Sequence, residues 1–106
     1  MIWPNLTQKL YRSKSFYVRL LHLNHLQSYF VHVLGIGSQE EMAKFGCKIV
    51  ASGKFSSDRK LSYEGPVVAL DNFTGDKDLL ALSDDFVRKY WRQQDIVVDV
   101  EIFERY

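Results

Sequence analysis

Two glycines at residues 35–37, "GIG", form the stretch whose spacing comes closest to that of a phosphate-binding loop. A dinucleotide-binding loop holds a phosphate on backbone N–H groups, and it takes a third glycine and a helix that begins directly after it. Here "SQEEMAKF" leads into another strand, and the carboxylates of Glu40 and Glu41 would repel a phosphate. We therefore predict that residues 35–37 end one strand and turn the chain into the next.

The candidate metal ligands are the three histidines, His22, His25 and His32. His22 and His32 lie on neighbouring predicted strands and could approach each other across a hairpin, whereas His25 lies in the turn. A zinc site takes three or four convergent ligands, and neither cysteines nor a carboxylate stand at a matching spacing. We predict surface or cross-strand histidines, with no metal and no cofactor.

Cys47 is the one candidate for catalysis by a thiol. A reactive cysteine takes an exposed, electropositive setting with a histidine base. Cys47 instead alternates with Phe45 and Ile49, which is typical of the buried face of a strand. No serine lies in a Gly-x-Ser-x-Gly elbow. We predict that Cys47 is a small buried hydrophobic residue and that the domain is not an enzyme.

The composition is that of an ordinary globular domain. The length of 106 residues fits a single domain over residues 1–106, and 46% hydrophobic residues supply a core. A net charge of +1 without a block of Lys or Arg argues against nucleic-acid binding. One cysteine cannot form an internal disulfide, and no apolar run reaches the roughly 20 residues that span a bilayer. We expect a cytosolic or nuclear protein that binds neither nucleic acid nor membrane.

Alternating apolar and polar residues predict strands through most of the chain. "SFYVRLLHL" and "SYFVHVL" flank a short loop at residues 24–27, and further strands are expected at "KFGCKIVASG", "KLSYEGPVVAL" and "DIVVDVEIFE". Before the last strand, Ser83 is placed to cap a short helix near residues 84–92. The apolar face of this helix, which we expect to anchor it on a sheet, consists of Phe86, Val87, Tyr90 and Trp91. The predicted fold class is all-β, an antiparallel β-sandwich of six to eight strands with one short helix.

The N-terminal segment mixes apolar and amide side chains on an extended stretch that has no evident neighbour on its outer side. Its residues of interest are Trp3, Leu6, Gln8 and Leu10. The unpaired N–H and C=O groups of an edge strand are a template on which a peptide adds as a further strand. The alternative is a plain edge strand protected by Lys9, Arg12 and Lys14. The residues alone leave both interpretations open.

The order of these segments resembles a known family. The shared features are Tyr29-Phe30 at a strand start, the turn at residues 36–38, and then "AKFGCKI", "GKFSSDRKLSYEG", "LLALSDDFVRKY" and "IVVDVEI". The chain resembles, over about residues 14 to 104, the C-terminal substrate-binding domain of the Seven in absentia (Siah) ubiquitin ligases, which is a relative of the TRAF domain. The similarity is clearest between residues 29 and 65.

The resemblance implies an antiparallel β-sandwich that binds extended motifs of partner proteins at a sheet edge and tends to form homodimers. In that family, ligase chemistry belongs to a zinc-binding RING and zinc fingers that precede this domain. The family's peptide groove uses an early tryptophan, apolar residues on the following strand and a polar residue in the last strand, for which the matches here are Trp3, Leu6 and Asp99. The family has a neutral amide where Asp99 stands, which implies a different peptide preference.

Three hypotheses for the function follow. The leading one is a non-enzymatic interaction module, a substrate-recognition or adaptor domain like that of Siah, which binds an extended peptide through Trp3, Leu6, Gln8 and Asp99. Its expected partners are degradation substrates or adaptors, and the domain itself is expected to form a homodimer. The second hypothesis is a structural homo-oligomerisation domain without a peptide ligand. The third is a small enzyme that uses Cys47.

Overall fold

The computed structural model describes residues 5–54, 56–72, 78–91 and 96–105. The strands in this part of the chain are β1 (Asn5–Tyr11), β2 (Lys14–Leu23), β3 (Ser28–Gly35), β4 (Phe45–Gly53), β5 (Ser56–Pro66), β6 (Val68–Ala69), β7 (Leu79–Ser83) and β8 (Ile96–Glu104). The helices are α1 (Gln39–Met42) and α2 (Asp84–Phe86), and a π-helical turn over Val87–Trp91 continues α2. Single 3₁₀ turns lie at Asn24–Leu26 and Leu70–Asn72.

The strands form two sheets. Sheet A has the order β1-β2-β3-β6, with β7 also paired to β3, and sheet B has the order β5-β4-β8. Every pairing is antiparallel except the short one between β3 and β6. The prediction of an all-β, mainly antiparallel sandwich is confirmed.

The inward faces of the two sheets pack against each other to form the core. Phe16 of β2 is fully buried, and its ring lies edge-on to that of Phe45 on β4, with 5.3 Å between ring centroids. Full burial of one Val, Leu, Ile, Phe or Met side chain stabilises the folded state by about 1.5–3 kcal/mol. The core consists of Phe16, Val31, Val33, Met42, Phe45, Cys47, Ile49, Ala51, Val67, Ala69, Leu80, Leu82, Val87, Trp91 and Ile102.

The two glycines of "GIG" lie where the chain leaves sheet A for sheet B. Gly37 has a φ of +149°, a backbone conformation that a side chain would strain. The prediction of a strand end and turn is confirmed. One detail was wrong, because "SQEEMAKF" does not run straight into β4 but first forms the one-turn helix α1. Ser38 and Glu41 close a reciprocal capping box at its start.

The helical segment before β8 begins where the sequence predicts. The hydroxyl of Ser83 accepts a hydrogen bond from the Phe86 backbone N–H at 3.1 Å, which satisfies one of the free donors of the first turn. Trp91 is fully buried, and its indole N–H donates to the Arg59 carbonyl at 3.0 Å. The helix is thereby anchored on sheet B. Within the described residues, no helix is both long and apolar enough to cross a membrane.

Candidate functional site

On the side where β1 and β8 lie, the described part of sheet A extends one strand further than that of sheet B. On β2, Phe16 points into the sandwich and is fully buried. Thr7 and Lys9 of β1 stand opposite Val18 and Phe16 in the strand ladder and therefore share their inward face, yet both are exposed. Sheet B thus has no described strand that covers the inward face of β1.

A groove of about 350 Å³ occupies this open side. Its floor is aliphatic and comes from β2 and β8, while β1 supplies a polar rim. The aliphatic side chains pack on the core but remain partly exposed. The groove falls within the usual size range of ligand sites. Its lining residues are Thr7, Gln8, Lys9, Val18, Leu20, Ile96, Val98 and Val100.

Both strands that border the groove have a free edge. Among the described strands, β1 pairs only with β2, and β8 pairs only with β4. An edge of this kind carries unpaired backbone N–H and C=O groups that a further strand can satisfy. The groove therefore offers both parts of a strand-addition site, namely backbone partners along its borders and an apolar floor for alternate side chains.

One end of the groove is closed. At the tip of the β1–β2 hairpin, the Arg12 guanidinium forms an ion pair with the Glu104 carboxylate at the end of β8, with 2.7 Å between Nη1 and Oε1. The ring of Tyr11 lies edge-on to Phe45 beside it. No such bridge joins β1 and β8 at the other end within the described residues.

The predicted site residues are only partly brought together. Gln8 borders the groove on β1, but it alternates with Thr7 and Lys9, so its side chain lies on the outer face of sheet A, where the amide donates to the Ser15 hydroxyl at 3.2 Å. Leu6 takes its place in β1 opposite Arg19, and Trp3 lies outside the described residues. Asp99 lies on β8 beside the groove, but it alternates with Val98 and Val100 and is therefore on the outer face of sheet B.

The predicted set missed the residues of β8 that form the groove floor, Ile96, Val98 and Val100. Their signal was present, because "IVVDVEI" alternates and marks one face of a strand as apolar. What the sequence did not give is the position of that face opposite β1 and β2. The alternation also does not indicate that, among the described strands, none of sheet B lies over β1.

The outer faces of the two sheets differ in chemistry. On sheet B, Lys48 stands between Glu64 and Glu101, and Asp99 stands opposite Val50. On sheet A, the outer face is largely apolar, and the exposed Leu10 has 68% of its surface accessible. Arg19 and His32 stand opposite each other at its centre and are buried, and burial lowers the pKa of the Arg19 guanidinium below its usual value. The other outward residues of sheet A include Tyr17, Leu21, Phe30, Leu34, Val68 and Leu79.

Cys47 lies in the core, where only 1% of its surface is exposed. Burial raises the pKa of the thiol to about 12, and the nearby charges of Asp78 and Glu64 add to this effect. The thiolate, which is the nucleophilic form, is therefore scarce at neutral pH. The prediction of a buried Cys47 is confirmed.

The histidines are dispersed. His22 packs against the ring of Tyr29 and bonds through Nε2 to the Asp84 carboxylate at 2.9 Å, whereas His32 lies under the outer face of sheet A and His25 is exposed in the β2–β3 turn. No group of three metal-ligating side chains occurs among the residues that the structure describes.

The chain was also compared with known proteins. No protein-family model matches it, and no curated protein does either. The resemblance to the Siah substrate-binding domain stays a prediction from the sequence. The groove between β1 and β8 is therefore the feature from which a function can be inferred.

Proposed function

We propose that this domain is a non-catalytic protein-interaction module that binds an extended peptide as an added strand between β1 and β8. The observation that carries the proposal is the aliphatic groove bordered by two free strand edges. The backbone edge supplies affinity for any extended chain, and the floor selects the side chains that point into it. Gln8 lies on β1, whose free edge borders the groove. Trp3 and Leu6 belong to the same N-terminal segment and are the other residues proposed to contact the peptide.

The expected affinity is modest. The floor residues already bury much of their surface, so a peptide removes only the remaining apolar area from water. Ordering a flexible peptide offsets part of this gain. We expect a dissociation constant of micromolar order, which suits an interaction that is made and released repeatedly.

The resemblance to Siah supports a more specific role. In this role the domain recognises degradation substrates or adaptors in the cytosol or nucleus and presents them to ubiquitin-conjugating machinery. The sequence contains one cysteine, whereas a zinc-binding RING uses several. The chemistry of ubiquitin transfer would therefore come from other polypeptide segments, and the 106 residues would supply recognition.

Two valine variants on one strand test the groove. Val98 lines the groove, whereas Val97 is its neighbour on the outer face of sheet B. We expect Val98→Thr to weaken binding of groove ligands about tenfold, because it places a hydroxyl against an apolar partner. Ligands would be selected from a displayed library of extended peptides and titrated by fluorescence anisotropy, together with Trp3→Ala.

The matched control is Val97→Thr, which makes the same chemical change on the same strand. If the wild type, Val98→Thr and Trp3→Ala bind with equal affinity, the peptide does not bind on this side of the sandwich. Equal losses in Val98→Thr and Val97→Thr would point to a general weakening of β8 and would also contradict the proposed contact.

The apolar outer face of sheet A favours a second candidate, a homo-oligomerisation domain. Apolar patches of this kind are typical of interaction surfaces, and the exposed Leu10 is part of it. If this face holds two copies together, Leu10→Glu should shift the sedimentation of the protein toward the monomer. The control Val97→Glu, on the outer face of sheet B, should not. Self-association that is the same with and without every groove peptide would support this candidate over the first.

A further inference from the structure

The open side of the sandwich contains one strand position that no described strand fills. Packed sheets lie about 10 Å apart, so a strand that faces β1 across the sandwich must belong to sheet B. It would there be the neighbour of β8. The exposure of Thr7 and Lys9 on the inward face of β1 marks this position, because the corresponding residue Phe16 on β2 is fully buried.

A strand beside β8 would have two rows of side chains with different surroundings. Residues that stand opposite each other in a sheet share a face. The inner row would therefore lie over the groove, which is lined by Thr7 and Lys9 of β1 as well as by the aliphatic Val18, Leu20, Val98 and Val100. The outer row would stand next to Val97, Asp99 and Glu101 of β8.

The surroundings of the outer row are acidic. On the other side of β8, Asp99 has Val50 opposite it, and Glu101 has Lys48 opposite it. Lys48 also stands opposite Glu64, so one lysine lies between two carboxylates in the strand register. Within the described residues, the side chains of Asp99 and Glu101 have neither a hydrogen bond nor an ion pair. The negative charge of Asp99, which has an uncharged residue opposite it, and that of Glu101, which shares Lys48 with Glu64, favour basic side chains on a neighbouring strand.

A strand added to β1 instead would meet different chemistry. Its outer row would stand beside Gln8 and Leu10 on the outer face of sheet A, and neither residue is charged. Peptide added at β1 would thus gain nothing from basic outer residues. The charge pattern of the ligand therefore distinguishes the two edges.

We infer that the ligand pairs with β8 and alternates aliphatic residues, which face the groove, with Lys or Arg residues, which face Asp99 and Glu101. This inference rests on the proposed function and specifies its ligand. It assigns Asp99 to the selection of a basic residue on the outer face rather than to the groove floor. The aliphatic floor selects the inward residues of the peptide, and the carboxylates of Asp99 and Glu101 select its outward residues.

Three soluble peptides of about seven residues, the length of an ordinary strand, test this assignment. They repeat Lys-Val, Ser-Val and Glu-Val, and they carry the same dye and the same flanking residues. We expect the wild type to bind Lys-Val most tightly and Glu-Val most weakly, with about a two- to fivefold step for each cross-strand charge pair. In Asp99→Lys, we expect Lys-Val to weaken about tenfold and Glu-Val to strengthen.

Glu64→Lys is the matched control, because it changes the net charge equally on the same outer face but stands on β5. Equal effects of Asp99→Lys and Glu64→Lys would show long-range attraction and overturn the pairing with β8. Circular dichroism would establish that both exposed substitutions leave the fold intact.

Amide hydrogen exchange gives a second readout that is independent of charge. Bound Lys-Val peptide should slow the exchange of edge amides on β8 more than that of amides on β1. Stronger protection of β1, or equal affinity for the Lys-Val, Ser-Val and Glu-Val peptides, would overturn this inference and leave the proposed function standing. Failure of every extended peptide to bind, including ligands selected from the library, would overturn both.

Discussion

On one long side of the sandwich, Trp91 lies fully buried against sheet B. On the other long side, between β1 and β8, aliphatic side chains stay partly exposed around a groove. The first side has a helix and a large aromatic anchor, and the guanidinium of Arg59 stacks over the Tyr90 ring at 4.4 Å. Among the residues that the structure describes, the second side has neither a helix nor an aromatic anchor of this kind. The described part of the sandwich is thus closed by its own helix on one side and open on the other, and the proposed function places the partner chain on the open side.

The largest expected effect concerns the closed side. We expect Trp91→Ala to lower the free energy of unfolding by about 3–5 kcal/mol, because it leaves a large cavity and an unpaired Arg59 carbonyl. Urea denaturation followed by circular dichroism measures this change. Trp91→Phe retains a ring without the N–H donor and should lose less. A loss below about 1 kcal/mol in Trp91→Ala would show that the helix does not close this side.

A pair of enlarged valines contrasts the core with the open side. Val33 is buried, so Val33→Leu should lower the free energy of unfolding by about 1–3 kcal/mol through overpacking. Val98→Leu adds the same methylene group toward the groove, where there is space. We expect a change within about 0.5 kcal/mol there. Equal destabilisation of the two variants, measured by thermal unfolding, would mean that the groove is not open.

Alkaline pH should weaken the core around Cys47. The thiol has a pKa of about 12 in the folded protein, raised from an ordinary value of 9.0. The unfolded chain therefore loses this proton first, and stability falls as pH rises from about 9 toward 12, by at most about 1.4 kcal/mol per pH unit.

Urea denaturation at a series of pH values measures this slope, and Cys47→Ala should flatten it. Tyr63 adds to the slope in the same direction, because burial and the Asp78 charge raise the pKa of its phenol to about 12. A slope that is unchanged in Cys47→Ala would contradict the buried position of the thiol.

The smallest effect concerns the start of the helix. Ser83→Ala removes the hydroxyl that accepts from the Phe86 N–H, and we expect a loss of about 1 kcal/mol in the free energy of unfolding. Ser83→Asp keeps an acceptor and should stay near the wild type. If peptide affinity at the groove also fell in Ser83→Ala, the two sides would not be independent.

Much of the fold could be predicted because strand alternation is a local signal. The burial of Cys47 between Phe45 and Ile49 and the cap at Ser83 both follow from neighbouring residues. The capping box of Ser38 and Glu41 was equally visible in the sequence, but a helix of four residues is too short to produce a periodic apolar face.

The site was harder to predict because it depends on how many strands each sheet has. Gln8 was identified from its place on an edge, whereas Val98 and Val100 looked like ordinary core residues. Only the assignment of β1 and β8 to different sheets brings them to one groove. Alternation tells which face of a strand is apolar, but it does not tell what covers that face.

The ion pair between Arg12 and Glu104 gives the groove a direction. A polypeptide lying along β8 meets this ion pair at the hairpin tip, where it must terminate or bend out into solvent. Motifs close to a chain end, or followed by a sharp turn, therefore suit this channel better than the middle of a long extended segment. The side chains of Arg12 and Glu104 are both solvent-accessible, so the ion pair is a weak barrier. Raising the ionic strength should therefore improve the binding of peptides that extend past the hairpin tip.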